Sequence, residues 1–386
     1  MELFPPMVEE SFVARLRADV AAVVAPIAAK TDRDDVYPLE AVRALAARGY
    51  NAVHVPAENG GGGKSFSHCV AVFEEVAYAS AATATSLITI FQSAEILKLY
   101  GSPALKKRFL PGIARGLCCS YAMTEAAHGS DVKHLDTKAV RDGDGWRIDG
   151  EKSFVTSASA AELFVILAET PAGVSAFAVP RDTPGAQTIT APGSATFGLR
   201  NGPHVNFRLN GARVPLENLI GEEGHGVRLA VTTLDHSRVL AGAIGVGIAR
   251  AAFDGAMAFA RERSAFGQHV LEFQGIQWYF ADMLTDIDAA RNLVYDAARH
   301  LDEGKQIERY SSEAKLFASR ISVAAAEKAI QICGARGCIE DAPFSRYLRD
   351  AKTYEIAGGS SEILRNTIGK FLLKAEIPPE PKTAGA

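Results

Sequence analysis

Residues 122–131 read AMTEAAHGSD, and they lie where the character of the sequence changes. Before this stretch, apolar residues recur at helical spacing, as Leu16 and Val20 do. After it, short β-type runs such as 164–167 and 175–179 alternate with turns rich in Gly, Pro, Asn and Asp. The stretch therefore marks the boundary between a helical N-terminal domain and a small antiparallel barrel or sandwich.

Farther along the chain, helical spacing returns at Gly226 and continues in four long segments with short breaks between them. Long helices joined by short loops are typical of an antiparallel four-helix bundle. We predict these helices near 226–262, 274–303, 307–335 and 344–374. The predicted fold class is therefore α+β, with an N-terminal helical domain over residues 1–118, a middle antiparallel β-domain over 119–225 and a C-terminal four-helix bundle over 226–386.

The 386 residues include 41 Lys and Arg against 45 Asp and Glu, a net charge of −4. This balance, spread along the chain, gives no electrostatic footprint for nucleic acid or an anionic membrane. The N-terminus lacks the apolar core of a secretory signal, and apolar stretches such as 239–248 are too short to span a bilayer. We therefore expect neither nucleic acid nor a membrane as a partner.

The five cysteines are an odd number, and their spacing is not typical of a zinc site. Buried free thiols in a reducing compartment account for them better. We therefore predict a cytoplasmic protein without a metal site.

Thr124, Gly129 and Ser130 give the boundary stretch the polar character of a ligand site. Two hydroxyls, together with backbone N–H groups exposed at a glycine, can bind a polar heterocycle or a thioester tail. Taken alone, the same residues fit a helix-capping turn equally well.

Phe154 and Thr156 stand two residues apart in a β-type run, so we expect them to share one face of a strand. The aromatic ring could then pack on a flat ligand while the hydroxyl hydrogen-bonds to the ligand's edge. An ordinary barrel strand has the same pattern, so this pair alone does not identify a ligand.

Three later stretches combine glycine with charged or amide side chains, at residues 261–268, 331–337 and 356–365. A guanidinium near a helix break suits a diphosphate, and a glycine pair before a helix frees N–H groups for a ligand. Helix ends and helix-to-helix turns use the same residues for structural reasons alone.

Together, the order and spacing of these five stretches closely resemble the acyl-CoA dehydrogenase family over essentially the whole chain. The resemblance implies FAD as cofactor, an acyl thioester of CoA or of a carrier protein as substrate, and a homodimer or homotetramer. It also implies hydride transfer to the flavin, with an electron-transfer flavoprotein or molecular oxygen as the final acceptor.

The resemblance also implies which residues contact the cofactor and the substrate. Matched FAD positions are Met123, Thr124, Gly129, Ser130, Phe154, Thr156, Arg263, Phe266, Gln274, Gln331, Gly334, Ser360 and Glu362. Those from Arg263 to Gly334 match contacts to the diphosphate and adenosine, part of them made by a neighbouring subunit. Matched substrate positions are Ser130, Arg238 and Gly358, with a backbone N–H near Gly358 polarising the acyl carbonyl.

The sequence departs from the family at the catalytic base. The usual glutamate is matched by Gly358, and the position that some members use instead, on the first bundle helix, is matched by Ser237. Neither residue can serve as the base that α-proton abstraction requires. The base is therefore unknown, and the candidates are His128, which can accept a proton near neutral pH, and Glu95.

Glu95 lies on a helix that covers the acyl pocket in the family, although a solvent-facing position is an equal alternative. Asp235 and His236, which precede Arg238, fit an ion pair or a helix-surface role better than catalysis.

The main prediction for function is α,β-dehydrogenation of an acyl thioester by bound FAD. The loss of both base carboxylates favours an alternative, an oxygen-using flavin oxidase or monooxygenase of specialised metabolism. A third alternative, a non-catalytic flavin-bearing structural or nucleic-acid-binding relative, is disfavoured by the acidic balance of the chain.

Overall fold

The computed structural model describes residues 2–190, 195–203 and 205–375. Its N-terminal region is helical, as predicted, and the last helix of this region ends at Ala114, before the boundary stretch. The helices are α1 Glu10–Val23, α2 Ala28–Asp34, α3 Leu39–Ala47, α4 Phe66–Ala79, α5 Ala81–Tyr100 and α6 Pro103–Ala114.

Helix α5 lies in the interior of the protein. Ser80 separates it from α4 in an extended conformation, and the Ser80 hydroxyl caps α5 by accepting the N–H of Thr83 at 3.2 Å. Sixteen of its twenty residues are buried, so α5 has no solvent-facing side of the kind that an amphipathic surface helix shows.

The middle region forms an eight-stranded sheet in the order β6-β7-β3-β2-β4-β5-β8, and β1 pairs with β4 outside this path. The strands are β1 Cys119–Ala122, β2 Lys138–Asp142, β3 Gly145–Val155, β4 Leu163–Thr170, β5 Gly173–Pro180, β6 Ala186–Thr190, β7 Val205–Pro215 and β8 Leu219–Ile220. Most pairings are antiparallel, but β1 and β2 both pair with β4 in parallel. The purely antiparallel prediction is wrong there, because long connections rather than hairpins join these strands.

The C-terminal region returns to helices. They are α7 Gly226–Glu262, α8 Gln274–Asp302, α9 Glu308–Cys333, α10 Phe344–Tyr354 and α11 Ser361–Leu372, with the short strands β9 Ser264–Ala265 and β10 Gln268–His269 after α7. The fourth predicted helix, 344–374, is thus two helices. Gly358 and Gly359 separate them with positive φ angles, which end a right-handed helix.

Helix α7 is the longest element, with 37 residues. By length and composition it could cross a membrane, in contrast to the shorter apolar stretch recognised in the sequence, but 89% of its most apolar window is buried inside the protein. It packs against α4, α5, α8 and α9. One apolar core therefore joins the N-terminal and C-terminal helices, while the sheet has a core of its own.

Candidate functional site

A turn of two glycines, Gly358 and Gly359, joins α10 to α11. Their φ angles are 72° and 106°, a backbone region that glycine adopts at little cost. Ser360 follows and caps α11 by accepting the N–H of Ile363 at 3.4 Å, and Glu362 is exposed in the first helical turn. Within the described part of the chain, the N–H groups of residues 358–360 have no backbone acceptor. The turn therefore offers successive N–H groups to a ligand.

Two cations hold this double-glycine turn from neighbouring helices. Arg238 of α7 donates from Nε to the carbonyl of Gly358 at 3.3 Å, and Lys315 of α9 donates from Nζ to the carbonyl of Gly359 at 2.7 Å. Burial, with a smaller effect from the nearby guanidinium, lowers the pKa of Lys315 to about 8.

Asp235 is the partner of Arg238. Its carboxylate lies 2.6 Å from the guanidinium Nη1, so the ion pair expected from the sequence is present. Burial raises the pKa of Asp235 to about 6 in spite of this cation. The double-glycine turn is thus held by charged side chains, Asp235 and Arg238 of α7 and Lys315 of α9.

The two base positions, 358 and 237, meet at one stretch of α7. A Cβ added at Gly358 would have the Cβ of Ala241 as its nearest neighbour, 4.0 Å away, and Ala241 lies about one helical turn after Ser237. The Ser237 hydroxyl donates to the carbonyl of Leu234 at 3.1 Å and accepts from the side-chain amide of Gln92, also at 3.1 Å. One position is therefore open space, and the other holds a neutral hydroxyl.

Glu95, a candidate base, is only 1% exposed, so the solvent-facing alternative is wrong. One carboxylate oxygen accepts from Nδ1 of His236 at 2.8 Å, and Nε2 of His54 and Nζ of Lys98 lie 3.1 and 2.7 Å from the other. Burial alone would raise the pKa of Glu95, but the two imidazoles outweigh burial and hold that pKa well below its ordinary value. Its role as base stays a prediction, which the low pKa disfavours.

His128, the other candidate base, lies in the segment between β1 and β2. Its Nε2 is 3.5 Å from the carboxylate of Asp136, and among the described residues no hydrogen bond or ion pair joins it to either base position. Glu125, His128 and Asp136 bring ligand atoms within 4.8 Å of one another. The Glu125 oxygens, however, already accept hydrogen bonds from the protein, so we assign no metal to this group.

Glu125 anchors the segment that contains the matched flavin positions. Its carboxylate accepts from Nζ of Lys152 at 2.6 Å and from the N–H groups of Asp136 and Thr137 at 2.6 and 3.1 Å. Both members of the Glu125–Lys152 pair are buried, and the carbonyl of Thr124 accepts the N–H of Ser153 at 2.8 Å. The segment is thereby fixed against β3, with Met123 and Thr124 half-buried and Gly129 and Ser130 exposed.

Phe154 projects from an irregularity near the end of β3. The register of β3 on β7 shifts between Lys152 and Val155, and Phe154 has a φ of 52° with 70% of its surface exposed. Thr156 follows the last residue of the strand, and its carbonyl accepts from the hydroxyl of Ser120 at 2.7 Å. The expected alternation along one strand face is therefore wrong, because a bulge re-aims the aromatic side chain. Backbone strain of this kind concentrates at functional sites.

Helix α5 connects the end of β3 with the double-glycine turn. Thr89 donates to the hydroxyl of Ser157 at 3.0 Å, immediately after Thr156, and Thr85 hydrogen-bonds the hydroxyl of Tyr354 at 2.8 Å, at the end of α10. Gln92 reaches Ser237 from the next turn of the same helix. An exposed ring on one side and free N–H groups on the other fit a ligand with a flat apolar face and polar edges, such as a flavin.

A second group of matched positions lies where α7 ends, α8 begins and α9 ends. Arg263 and Phe266 follow α7, and Phe266 is 98% exposed with a φ of 49°. Gln274 opens α8, while Gln331 and Gly334 close α9. Among the described residues, no hydrogen bond or ion pair joins this group to the double-glycine turn or to the end of β3. The contacts of these residues with FAD, and the neighbouring copy that would share them, stay predictions.

Sequence reasoning did not single out Gln92 or Lys315. Lys315 interrupts a run of small residues on the buried face of α9, with Ser311, Ala314 and Ala318 beside it. A lysine among small buried residues could have been recognised from the sequence as a candidate site residue. Nothing in the sequence around Gln92 indicates its role, because that role depends on a contact with Ser237, far along the chain.

Comparison with protein families gives matches along nearly the whole chain. Residues 8–117 match the acyl-CoA dehydrogenase N-terminal domain, 120–212 the middle domain and 224–373 the C-terminal domain. Among curated proteins, a probable acyl-CoA dehydrogenase of Mycobacterium tuberculosis is 36% identical over 369 residues, which cover 93% of this chain and 94% of that protein.

Among solved structures, butyryl-CoA dehydrogenase from Megasphaera elsdenii superposes with a TM-score of 0.92 at 29% identity, covering 97% of this chain and 100% of that one. The prolyl acyl carrier protein oxidase AnaB superposes with a TM-score of 0.89 at 26% identity, covering 95% and 100%. Both likenesses extend over all three regions of the fold.

Proposed function

Because the chain belongs to the acyl-CoA dehydrogenase family, we propose that it is an FAD-dependent oxidoreductase that dehydrogenates an acyl thioester of CoA or of a carrier protein. Bound FAD supplies a two-electron acceptor for the hydride that leaves the acyl group. The observation that carries the proposal is the double-glycine turn, whose N–H groups are free while its carbonyls are held by Arg238 and Lys315.

Different residues of the chain bind different parts of FAD. Phe154 offers an exposed ring for the flavin face, and Thr124 and Thr156 offer hydroxyls for its edge. Arg263 and Gln274 offer a guanidinium and an amide for the diphosphate and adenosine of an FAD held mainly by a second copy.

The double-glycine turn binds and polarises the thioester of the substrate. A thioester carbonyl that accepts from the N–H of Gly358 becomes more polarised, which makes loss of a proton or another electrofugal group from its α-carbon easier. Arg238 and Lys315 fix this N–H by holding the two carbonyls of the turn, so the donor is in place before the substrate arrives.

Flavin binding is tested first, with two variants that each replace one exposed phenylalanine of similar accessibility by alanine. Phe154→Ala should weaken FAD binding at least tenfold, since it removes the apolar surface opposite the ring, whereas Phe197→Ala, at a side chain that is 63% exposed, should leave binding unchanged. Equilibrium dialysis with flavin fluorescence measures both. Equal affinities in the two variants would contradict the assignment of Phe154.

Turnover is tested by mixing the FAD-loaded protein, under anaerobic conditions, with acyl thioesters of CoA and of an acyl carrier protein. Loss of the oxidised flavin absorbance is the expected result for at least one acyl class. A protein that binds FAD and thioesters yet keeps its flavin oxidised with every acyl class would contradict the proposed reaction.

The electron acceptor has two candidates, an electron-transfer flavoprotein and molecular oxygen. One observation favours oxygen, because Gly358 is exposed and a side chain at that position would stand in open space. A gas molecule can enter such a space, and tight exclusion of water and oxygen normally protects a reduced flavin. AnaB, of similar structure, is named an oxidase.

Stopped-flow mixing of the photoreduced protein with aerated buffer distinguishes the two acceptors. Fast reoxidation with peroxide release supports an oxidase, and incorporation of labelled oxygen into the product supports a monooxygenase. Slow reoxidation, with and without bound thioester, leaves the partner flavoprotein as the acceptor.

A further inference from the structure

The space at Gly358 has a definite position relative to the rest of the site. It adjoins the free N–H groups of residues 358–360, and Ala241 is the nearest neighbour that a Cβ there would meet, at 4.0 Å. A glutamate at 358 would fill this space with four heavy atoms beyond Cβ, two of them the carboxylate oxygens. In this chain the same volume is left to the substrate.

Among the residues that the structure describes, the side chains placed at the two base positions supply no base. Ser237 donates its proton to Leu234 and accepts from Gln92, so a neutral hydroxyl and a neutral amide face each other there. The carboxylate of Asp235 is paired with Arg238 beneath the turn. A general base must come within hydrogen-bond reach of the proton that it removes. The two acidic residues beside the turn are engaged elsewhere, Glu355 with Lys352 and Glu362 with Arg365.

The electron pair that a dehydrogenation needs at the α-carbon can have another source. A thioester that carries a carboxylate on its α-carbon can lose carbon dioxide, and the pair of the broken carbon–carbon bond then remains on the α-carbon without any base. If that bond points where a basic glutamate would otherwise approach, the carboxylate needs the volume that Gly358 leaves open. The missing base and the open space then have one explanation.

The charge beneath the turn suits such a substrate. Arg238 and Lys315 lie side by side, and Nη2 of Arg238 is 3.4 Å from where a Cβ of Gly359 would stand. Within the part of the chain that the structure describes, Asp235 is the one carboxylate within ion-pair distance of either cation. Lys315 has Glu355 and Glu362 as counter-ions only beyond that distance, an arrangement that favours an anionic acyl group.

We propose that the substrate is a 2-carboxyacyl thioester, that is, a substituted malonyl thioester, and that loss of its carboxylate replaces removal of an α-proton. The bond between the α-carbon and the carboxylate breaks, and carbon dioxide leaves. The electron pair forms the α,β double bond as a hydride departs from the β-carbon to FAD. The products are an α,β-unsaturated thioester, carbon dioxide and two-electron-reduced FAD, which takes over the negative charge, so no proton is consumed. The inference rests on the proposed function and specifies its substrate.

Binding of two thioesters to the FAD-loaded native protein tests the inference without turnover. Ethylmalonyl-CoA and butyryl-CoA differ only by the α-carboxylate, and we expect the former to bind at least tenfold more tightly by isothermal titration calorimetry. Under anaerobic conditions, ethylmalonyl-CoA should also release carbon dioxide in equal amount to the flavin reduced, while butyryl-CoA should bind without reducing it.

The outcomes separate the inference from the proposed function. If butyryl-CoA reduces the flavin and ethylmalonyl-CoA neither binds more tightly nor loses carbon dioxide, the inference is overturned and the proposed function stands. If neither thioester binds, as the CoA or as the pantetheine derivative, both fail.

Three substitutions at Gly358 test the place of the carboxylate. Gly358→Gln and Gly358→Glu fill the space with nearly the same volume, and we expect both to weaken ethylmalonyl-CoA binding at least tenfold, the charged variant more. Only Gly358→Glu should gain reduction of the flavin by butyryl-CoA. Gly358→Ala has the same backbone strain at positive φ but little added volume, so it is the reference against which the loss of affinity in Gly358→Gln is measured. FAD content and thermal unfolding show whether each variant folds, and unchanged ethylmalonyl-CoA affinity in a folded Gly358→Gln would overturn the inference.

Discussion

At the scale of single residues, Glu95 shows how burial changes the meaning of a carboxylate. Two imidazoles and Lys98 surround it, and its pKa is held well below the ordinary value. Such a group stabilises the helices that meet there, because removing one member of a buried ionic cluster leaves the others uncompensated.

We therefore expect Glu95→Gln to lower the free energy of unfolding by about 3–5 kcal/mol near pH 7. Because folding depresses the pKa of Glu95, its stabilisation is present above the unfolded pKa, about 4.3, and is lost as the pH falls below it. The gap in thermal midpoint between native protein and variant should thus be smaller at about pH 3 than at pH 7.

Glu327→Gln, on the exposed face of α9, is the matched control and should change the midpoint little at either pH. A Glu95→Gln variant that keeps native stability but loses turnover would instead support Glu95 as the catalytic base.

The sequence could reveal the loss of both base carboxylates, because Gly358 and Ser237 stand in matched positions of recognisable motifs. It could not reveal the surroundings of Glu95. Helix α5 is buried on nearly every side, so no polar face indicates which way a residue points. The partners His54 and His236 come from distant parts of the chain.

At the scale of elements, β3 and the segment after β1 depend on one buried pair. Glu125 and Lys152 join them at 2.6 Å. Burial alone would raise the pKa of Glu125, but the hydrogen bonds from Lys152 and Thr137 outweigh it and lower that pKa. The prediction that Phe154 and Thr156 share one face of β3 is wrong, because a bulge interrupts the strand at Phe154. The two-residue alternation of a strand sequence does not indicate where a bulge lies.

Lys152→Met should lower the free energy of unfolding by about 3–5 kcal/mol and weaken FAD binding, because it leaves the Glu125 carboxylate buried without its cation. The double variant Glu125→Gln, Lys152→Met should recover part of the loss. Thermal unfolding and flavin dialysis measure both effects.

Lys305→Met removes a lysine from an exposed pair with Glu303 and is the control, which should leave thermal unfolding and FAD binding nearly unchanged. Identical losses in the Lys152 and Lys305 variants would show that the buried pair does not anchor the flavin segment.

At the scale of the whole molecule, large apolar side chains remain uncovered in one chain. Phe266 is 98% exposed and Trp278 is 61% exposed, both near the start of α8. Because uncovered apolar side chains of this size commonly mark interaction sites, we expect another copy of the chain to cover them.

We expect the purified protein to be yellow and to sediment with at least twice the mass of one 41.0 kDa chain. Phe266→Ser should reduce both the FAD content and the mass, since the same surface serves cofactor and neighbour. Val140→Ser, at a 37% exposed position of β2, should change neither. A colourless protein that remains a monomer when FAD is added would contradict the prediction.

The double-glycine turn has a consequence for how this reaction can evolve. The groups that polarise the thioester there are main-chain N–H groups, and a side-chain substitution cannot remove them, proline excepted. The residue at 358 can therefore change between glutamate and glycine in evolution while the main-chain N–H donors stay in place. On the proposed reaction, a single codon at this turn exchanges one source of the electron pair at the α-carbon for another.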